Sequence, residues 1–308
     1  MISLDHATKL YGTVIGVNDV TVDMAVGMHG LVGPNGAGKT TFLGLVTGQL
    51  RPTLGRVRVF GEAPFGNPRV LRRIGYCPVA DLLDRTTTPL HWVTYLVRLA
   101  GFGGREAATR AERALDRMGL AAAARRPLFT LSKGMRQRAK LAGAIAHDPD
   151  LLVLDEPFNG LDPIGRHELV EFVRSWSSSR SLIVASHLLH EVESLDAGLA
   201  VILGGRLVAS GTAAEIRGLI DTLPGEVRVR CAEPRRFAEL ACRLEGVAGV
   251  RVSDDLVVVT TRRPVAFVEE ATTLAFESGV RLREIAAADR SLEGVFGHLV
   301  RLHRGAVT

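Results

Sequence analysis

The chain has 308 residues, 46% of them apolar, and its 38 Lys and Arg against 33 Asp and Glu leave a formal net charge of +5. That composition supports one large domain or two modest ones and excludes an extended disordered chain. Basic residues are interspersed with acidic ones and meet only as doublets such as Arg125-Arg126, Arg235-Arg236 and Arg262-Arg263, so no nucleic-acid partner is expected.

Residues 1–26 alternate as two antiparallel strands would, with Gly12 and Gly16 near the turn between them. Tyr11, just before that turn, could stack on a purine base or pack as an ordinary strand residue, and the residues alone leave both open. Residues 28–32 are a short apolar strand, followed by Gly33-Pro34-Asn35-Gly36-Ala37-Gly38-Lys39-Thr40-Thr41. This fits G-x-x-x-x-G-K-[ST], and Phe42, Leu43, Leu45, Val46 and Leu50 continue it at helical spacing. In such a loop glycines admit the backbone close to a polyanion, and N–H groups at the helix start point at it. Lys39 is then placed to reach the β- and γ-phosphates of a nucleoside triphosphate, and the Thr40 hydroxyl to help hold Mg²⁺.

After a break at Arg51-Pro52-Thr53-Leu54-Gly55, residues 56–60 alternate as an edge strand, and residues 74–79 suggest another. From residue 88 to about 148 the pattern is helical, an α-helical insertion in an α/β domain. Trp92, Tyr95, Leu96 and Leu99 mark one face of its first helix, and residues 105–118 form the second, with Glu106 and Arg110 as an i,i+4 pair. Residues 131–138, LSKGMRQR, open a third helix with Ser132 as a plausible N-cap.

Leu151-Leu152-Val153-Leu154-Asp155-Glu156 reads as a central parallel strand with paired carboxylates at its carboxyl end, where ligands lie in open α/β sheets. The first acid can hold Mg²⁺; the second can orient or deprotonate an attacking water. A helix near residues 165–175 precedes a second buried strand, 182–185, ending in Ser186-His187. Because that end shares the sheet edge of the phosphate loop, His187 is read as hydrogen-bonding a γ-phosphate. Residues 199–203 and 206–209 form a hairpin about Gly204-Gly205.

Residues 221–225 read as a linker, after which the order is β-α-β-β-α-β, with strands 226–231, 247–252, 256–261 and 280–285 and helices 235–244 and 264–277. That is a ferredoxin-like α+β domain, and Leu292, Val295, Phe296, Leu299 and Val300 suggest a closing helix. Without a metal-like or catalytic cluster, this segment is expected to serve binding or assembly. The expected division is 1–219, with a helical part at about 84–150, and 220–308. Cys77, Cys231 and Cys242 match neither a zinc pattern nor a disulfide framework, which suits a reducing cytoplasm. With no signal peptide and no apolar run near the roughly 18 to 20 residues of a bilayer span, any membrane role is expected to come through a partner.

The succession Tyr11, GPNGAGKTT, LSKGMRQR, LLVLDEP, Asn159-Gly160-Leu161-Asp162 and Ser186-His187 resembles the ATPase subunit of an ABC transporter over residues 1 to about 219. The resemblance implies a P-loop NTPase fold of ABC ATPase type, α/β, with an α-helical and an antiparallel β subdomain. It implies that Tyr11 stacks on adenine, Asp155 binds Mg²⁺, Glu156 is the catalytic carboxylate and His187 the switch histidine. It also implies a dimer, of two copies or with a paralogous ATPase, in which Ser132 and Gly134 touch the γ-phosphate bound by the partner and Asp162 crosses the interface. ATP and Mg²⁺ are the expected cofactors, and an integral-membrane permease the expected partner, at the cytoplasmic face of the cell membrane.

The tail, Asp289-Arg290-Ser291-Leu292-Glu293-Gly294-Val295-Phe296, and the signature form with Lys133 and Met135 resemble subunits of exporters for drugs, antibiotics and polysaccharides. One position departs from the family. Tyr76-Cys77-Pro78-Val79 carries valine where the family has a glutamine that touches Mg²⁺ and the attacking water, and Asp81 is the nearest polar substitute. The alternative is therefore an ATP-binding regulatory or assembly subunit with weak turnover. An ABC ATPase acting on ribosomes or chromosomes fits poorly, since there is one phosphate loop and no sustained heptad.

Overall fold

β1 (Ile2–Tyr11) and β2 (Val14–Met24) pair antiparallel, and the other side of β1 takes β4 (Leu54–Val59), giving a three-stranded sheet of order β2-β1-β4. Val57 and Val59 turn inward while Arg56 and Arg58 stay exposed, the alternation expected of an edge strand. β3 (Met28–Val32) lies instead in a six-stranded sheet of order β5-β6-β7-β3-β8-β9. Here β5 (Ile74–Cys77), β6 (Leu151–Asp155), β7 (Ser181–Ser186), β3 and β8 (Gly198–Leu203) are parallel, and β9 (Arg206–Gly211) closes one edge antiparallel. The computed structural model describes residues 1–80, 86–178, 180–188, 191, 192, 195, 197–212, 214–216 and 225–287.

Every residue of β6 and β7 is buried, which is why neither strand alternates in sequence. Leu151, Val153, Ile183 and Ala185 share a core cluster with Phe42 and Leu43 of α1 (Lys39–Val46) and with the inward side of the three-stranded sheet. Leu152, Leu154, Leu182 and Val184 are equally buried on the opposite face. Each fully buried Phe or Leu here stabilises by about 1.5–3 kcal/mol relative to exposure.

Side-chain caps set where several helices begin. Asn67 accepts from Arg69 and Val70 N–H ahead of α2 (Pro68–Leu71), Thr88 accepts from His91 N–H ahead of α3 (Pro89–Leu99), and Ser132 accepts from Met135 N–H ahead of α5 (Lys133–Ile145). Asp162 does the same for α6 (Pro163–Ser177), and three of these helices carry proline at the first position, where no N–H is needed. α4 (Gly104–Arg117) carries the expected Glu106–Arg110 pair at 2.9 Å. α3, α4 and α5 pack on one another as the helical insertion.

The apolar face assigned to α3 is corrected. Its buried residues are Pro89, Val93 and Val97, whereas Tyr95 is 54% and Leu99 64% exposed. Trp92 and Leu96 lean over Gly143 of α5, where any Cβ would collide with both. The valines fill the interior and the larger side chains lie along its margin.

The chain divides into two compact units, Met1–Ala213 and Ala214–Thr308. In the second, β10 (Gly225–Cys231), β11 (Val247–Ser253), β12 (Leu256–Thr261) and β13 (Leu282–Ala287) form an antiparallel sheet of order β11-β12-β10-β13. α7 (Pro234–Ala241) and α8 (Pro264–Ser278) supply Phe237, Ala241, Phe267 and Ala271 to a core with Val227, Val229, Val257 and Val259. The order is the β-α-β-β-α-β read from the sequence. Its last strand starts later than expected, because Gly279 at φ +70 ends α8 and Val280 N–H caps the helix on the Ala275 carbonyl at 3.0 Å. Residues 221–224, Asp81 and the closing helix of the tail lie outside the described residues. Among the described residues no helix is long and apolar enough to cross a membrane.

His147, after α5, couples this packing to pH. Its Nε2 lies 3.1 Å from the Ile74 carbonyl, and burial lowers its pKa from the ordinary 6.5. The fold therefore holds the neutral ring, while the unfolded chain takes up a proton below about 6.5. Stability from this group is complete above that value and is lost as pH falls below it. The urea midpoint should drop between about pH 7 and 5, less steeply in His147→Asn, which does not titrate. Equal slopes in both proteins would remove His147 as the cause.

Candidate active site

The carboxyl ends of β3, β7 and β6, neighbours in the sheet, deliver the loop, the histidine and the acid pair to one edge. The loop depends on two glycines. Gly38 has φ +107 as the N-cap of α1, and a Cβ on it would collide with the Gly16 carbonyl; one on Gly33 would collide with the Ile202 carbonyl. The first hydrogen bond of α1 runs from Phe42 N–H to the Gly38 carbonyl, 2.9 Å, so the N–H groups before it have no intrahelical acceptor. With the helix dipole behind them, they make an anion-binding mouth. Gly36 has φ +79, Asn35 is exposed, and the carbonyl of buried Ala37 accepts Gly205 N–H at 2.8 Å, tying the loop to the β8–β9 turn.

Glu156 is the centre of the polar cluster. It follows β6 with φ +51, a left-handed conformation uncommon for a residue with a side chain. The surrounding bonds impose it: Glu156 N–H reaches the Ala185 carbonyl at 2.9 Å, and its own carbonyl accepts Asn159 N–H at 3.2 Å. The carboxylate Oε2 lies 2.7 Å from His187 Nδ1. Oε1 lies 3.1 Å from Lys39 Nζ as an ion pair without an aligned hydrogen bond. Lys39 itself donates to the Gly33 carbonyl at 2.7 Å. His187 thus holds the carboxylate, a contact the sequence reading did not foresee.

Asp155, one residue earlier, accepts the Thr40 hydroxyl on Oδ2 at 3.0 Å, while its buried Oδ1 has no hydrogen-bond partner. Burial raises its pKa above the ordinary carboxylate value, the Thr40 bond lowers it, the Glu156 charge raises it again, and Lys39 and Lys140 oppose. An orphaned carboxylate oxygen beside a hydroxyl fits a hard cation. Among the described residues no group of three or more His, Cys, Asp or Glu could hold a metal. Mg²⁺ typically takes one or two protein oxygens and completes its shell with phosphates and water, so Thr40 and Asp155 are the residues that could hold it.

Tyr11 flanks the loop: its hydroxyl is 3.5 Å from Thr41 Oγ1, and its ring, 46% exposed, packs across the space left by Gly16. The Ser132 hydroxyl is used within α5, and Gly134 approaches the Gly160 carbonyl and Leu161, so the signature turn rests against the loop that ends in Asp162. Asp162 accepts Gly165 N–H at 2.7 Å as the cap of α6. Val79 follows β5 with its side chain 45% exposed.

The sequence reading passed over two polar connections. Ser186 donates its hydroxyl to buried Glu191 at 2.5 Å, and Glu191 pairs with Arg166 of α6 at 3.1 Å, linking the Asp162 cap to the strand end that carries His187. Gln137 and Lys140, on one face of α5, donate to backbone carbonyls after β6 and β5. Their i,i+3 spacing on the buried face of α5, where the other residues are small or apolar, was the available signal.

Fold and loop together define a P-loop nucleotide-binding protein. Residues 17–159 match the ABC transporter family model. The chain is 33% identical to a daunorubicin resistance ATP-binding protein of Streptomyces coeruleorubidus, over 97% of this chain and 95% of that protein. It is 34% identical to a Nod factor export ATP-binding protein I of Cupriavidus metallidurans, over 70% of this chain and 72% of that one. A solved dimeric bacterial ABC transporter cassette superposes with a TM-score of 0.64 at 21% identity, covering 69% of this chain and 98% of that one. The chain belongs to the ABC transporter ATP-binding family, and it is an ATPase of that family.

Proposed function

We propose that this chain is the ATP-hydrolysing subunit of an exporter for a drug-like or other small molecule, working with a separate integral-membrane permease at the cytoplasmic face of the membrane. The observation that carries the chemistry is the Lys39–Glu156–His187 cluster at the mouth of the phosphate loop. The loop N–H groups and Lys39 bind the phosphates of ATP, and the Tyr11 ring stacks on the base. Thr40 and Asp155 hold Mg²⁺, which supplies neutralisation of phosphate charge. When Lys39 turns to the phosphates, Glu156 is left to accept a proton from the attacking water. His187 keeps that carboxylate aimed through Nδ1 and offers its other ring nitrogen to the γ-phosphate.

In this reading Ser132 and Gly134 act on the ATP held by a second copy or a paralogous ATPase, with Asp162 at the interface. The start of α5 supports it: its dipole and its first N–H groups, which lack intrahelical acceptors, suit an anion. Docking of the permease is supported by a groove of about 380 Å³ lined by Leu71, Tyr76, Leu96, Leu99 and His147. Residues 1–219 are the motor and residues 220–308 an accessory domain for assembly. The test is isolation of the tagged chain from detergent-solubilised membranes. A multi-span protein should come with it and turnover should require Mg²⁺; recovery of neither would end the proposal.

A further inference from the structure

The side chain of Lys140 is buried, 5% exposed, in the middle of α5; among the described residues no carboxylate lies within ion-pair distance of it, and the Asp155 charge acts on it only from farther away. A buried ammonium without an adjacent counter-charge is costly unless its donors are filled. Here they are filled: Nζ lies 2.9 Å from the Pro78 carbonyl, 3.2 Å from that of Val79 and 3.2 Å from that of Ala80. Three N–H donors meet three consecutive acceptors. Three residues earlier on the same helix face, buried Gln137 donates to the Pro157 carbonyl, next to Glu156, at 3.1 Å and approaches Cys77 Sγ at 3.8 Å.

One face of α5 therefore grips the backbone immediately beyond two adjacent strand ends, β5 and β6. The side chain at 79 points outward and makes no polar contact, so main-chain carbonyls bear the connection. α5 also begins with the Ser132–Gly134 turn. We infer that Lys140 is a positioning residue of the ATPase: its ammonium fixes the Pro78–Ala80 segment to the signature helix, so that the helix and the catalytic edge of the sheet move as one piece. The inference rests on the ATPase reading for its kinetic consequence, but the tie itself is observable without turnover.

Lys140→Met keeps the length and removes the three donors; Lys140→Gln keeps an amide. In the full chain, Lys140→Met should lower kcat about tenfold with the KM for ATP within about twofold, and Lys140→Gln should lie between it and the wild type. Hydrogen exchange should accelerate in residues 74–80 of Lys140→Met while β3 and β7 keep their protection. An unchanged kcat, exchange rising equally in every strand, or failure of both variants to fold would each overturn the inference and leave Lys140 a core-packing residue. A wild-type chain without Mg²⁺-dependent turnover would sink the ATPase reading instead, and the exchange comparison would still decide the tie.

Discussion

Glu156→Gln is expected to reduce ATP turnover by about a thousandfold while ATP still binds. The amide keeps the shape of the side chain and can still meet His187, but it has no basic oxygen for the proton of the attacking water. The left-handed backbone at Glu156 is held by Ala185 and Asn159, neither of which depends on the carboxylate charge, so the loop should keep its path. Losing the negative end of the Lys39 pair also releases that ammonium for phosphate, so binding should hold or tighten. Equilibrium binding beside steady-state and single-turnover rates separates these effects. Turnover within tenfold of wild type would place the base on another residue.

Lys39→Met should act on binding and on stability together. The ammonium is a charge-assisted donor toward phosphate, and its loss should weaken ATP binding by about one to two orders of magnitude. It is also the cation of a buried pair, with side-chain exposures of 6% for Lys39 and 8% for Glu156. Removing one partner of such a pair typically costs about 3–5 kcal/mol, because the remaining charge stays buried. Asp155 lies next in sequence, so the variant leaves two neighbouring carboxylates with one cation fewer. Calorimetric titration with ATP reads the first effect and the urea midpoint the second. The double variant Lys39→Met/Glu156→Gln should recover most of the stability and none of the turnover; stability no better than that of Lys39→Met alone would show that the pair is not its source.

What could be read from sequence follows from how locally each feature is encoded. Buried parallel strands announce themselves as unbroken apolar runs, so β6 and β7 and the acids after them were legible. The phosphate loop was legible because its glycines answer a backbone requirement that no other residue meets. The inward face of α3 was not, because Trp92, Tyr95, Leu96 and Leu99 are the bulkier set, and only packing on α4 and α5 puts Val93 and Val97 inside while Trp92 and Leu96 cover Gly143. Contacts between distant loops were equally hidden. Nothing near His187 in sequence says that its ring meets Glu156 rather than solvent, and the Ser186–Glu191–Arg166 link joins a strand end to a helix start. Lys140 is one of four lysines in a chain that otherwise uses arginine. Arginine's broad planar fork fits a flat acceptor pair, whereas a compact ammonium can face three converging carbonyls, a distinction composition alone does not convey.

The strand order also sets when the protein can become active during its synthesis. β3 pairs with β7, Met28 opposite Leu182, so the strand that launches the phosphate loop waits for a partner made 154 residues later. Until β7 has left the ribosome, the flank of β3 that will receive it stays bare, and neither the Ala185 carbonyl that bends Glu156 nor His187 exists. Closure across so long an intervening chain is slow, and an open apolar edge is prone to wrong pairing meanwhile. The second unit makes no such demand among its described residues, for the strands there lie between Gly225 and Ala287. A nascent chain arrested just before Ser181 should therefore be protease-sensitive around β3, and one arrested after the β8–β9 hairpin has emerged should be protected there.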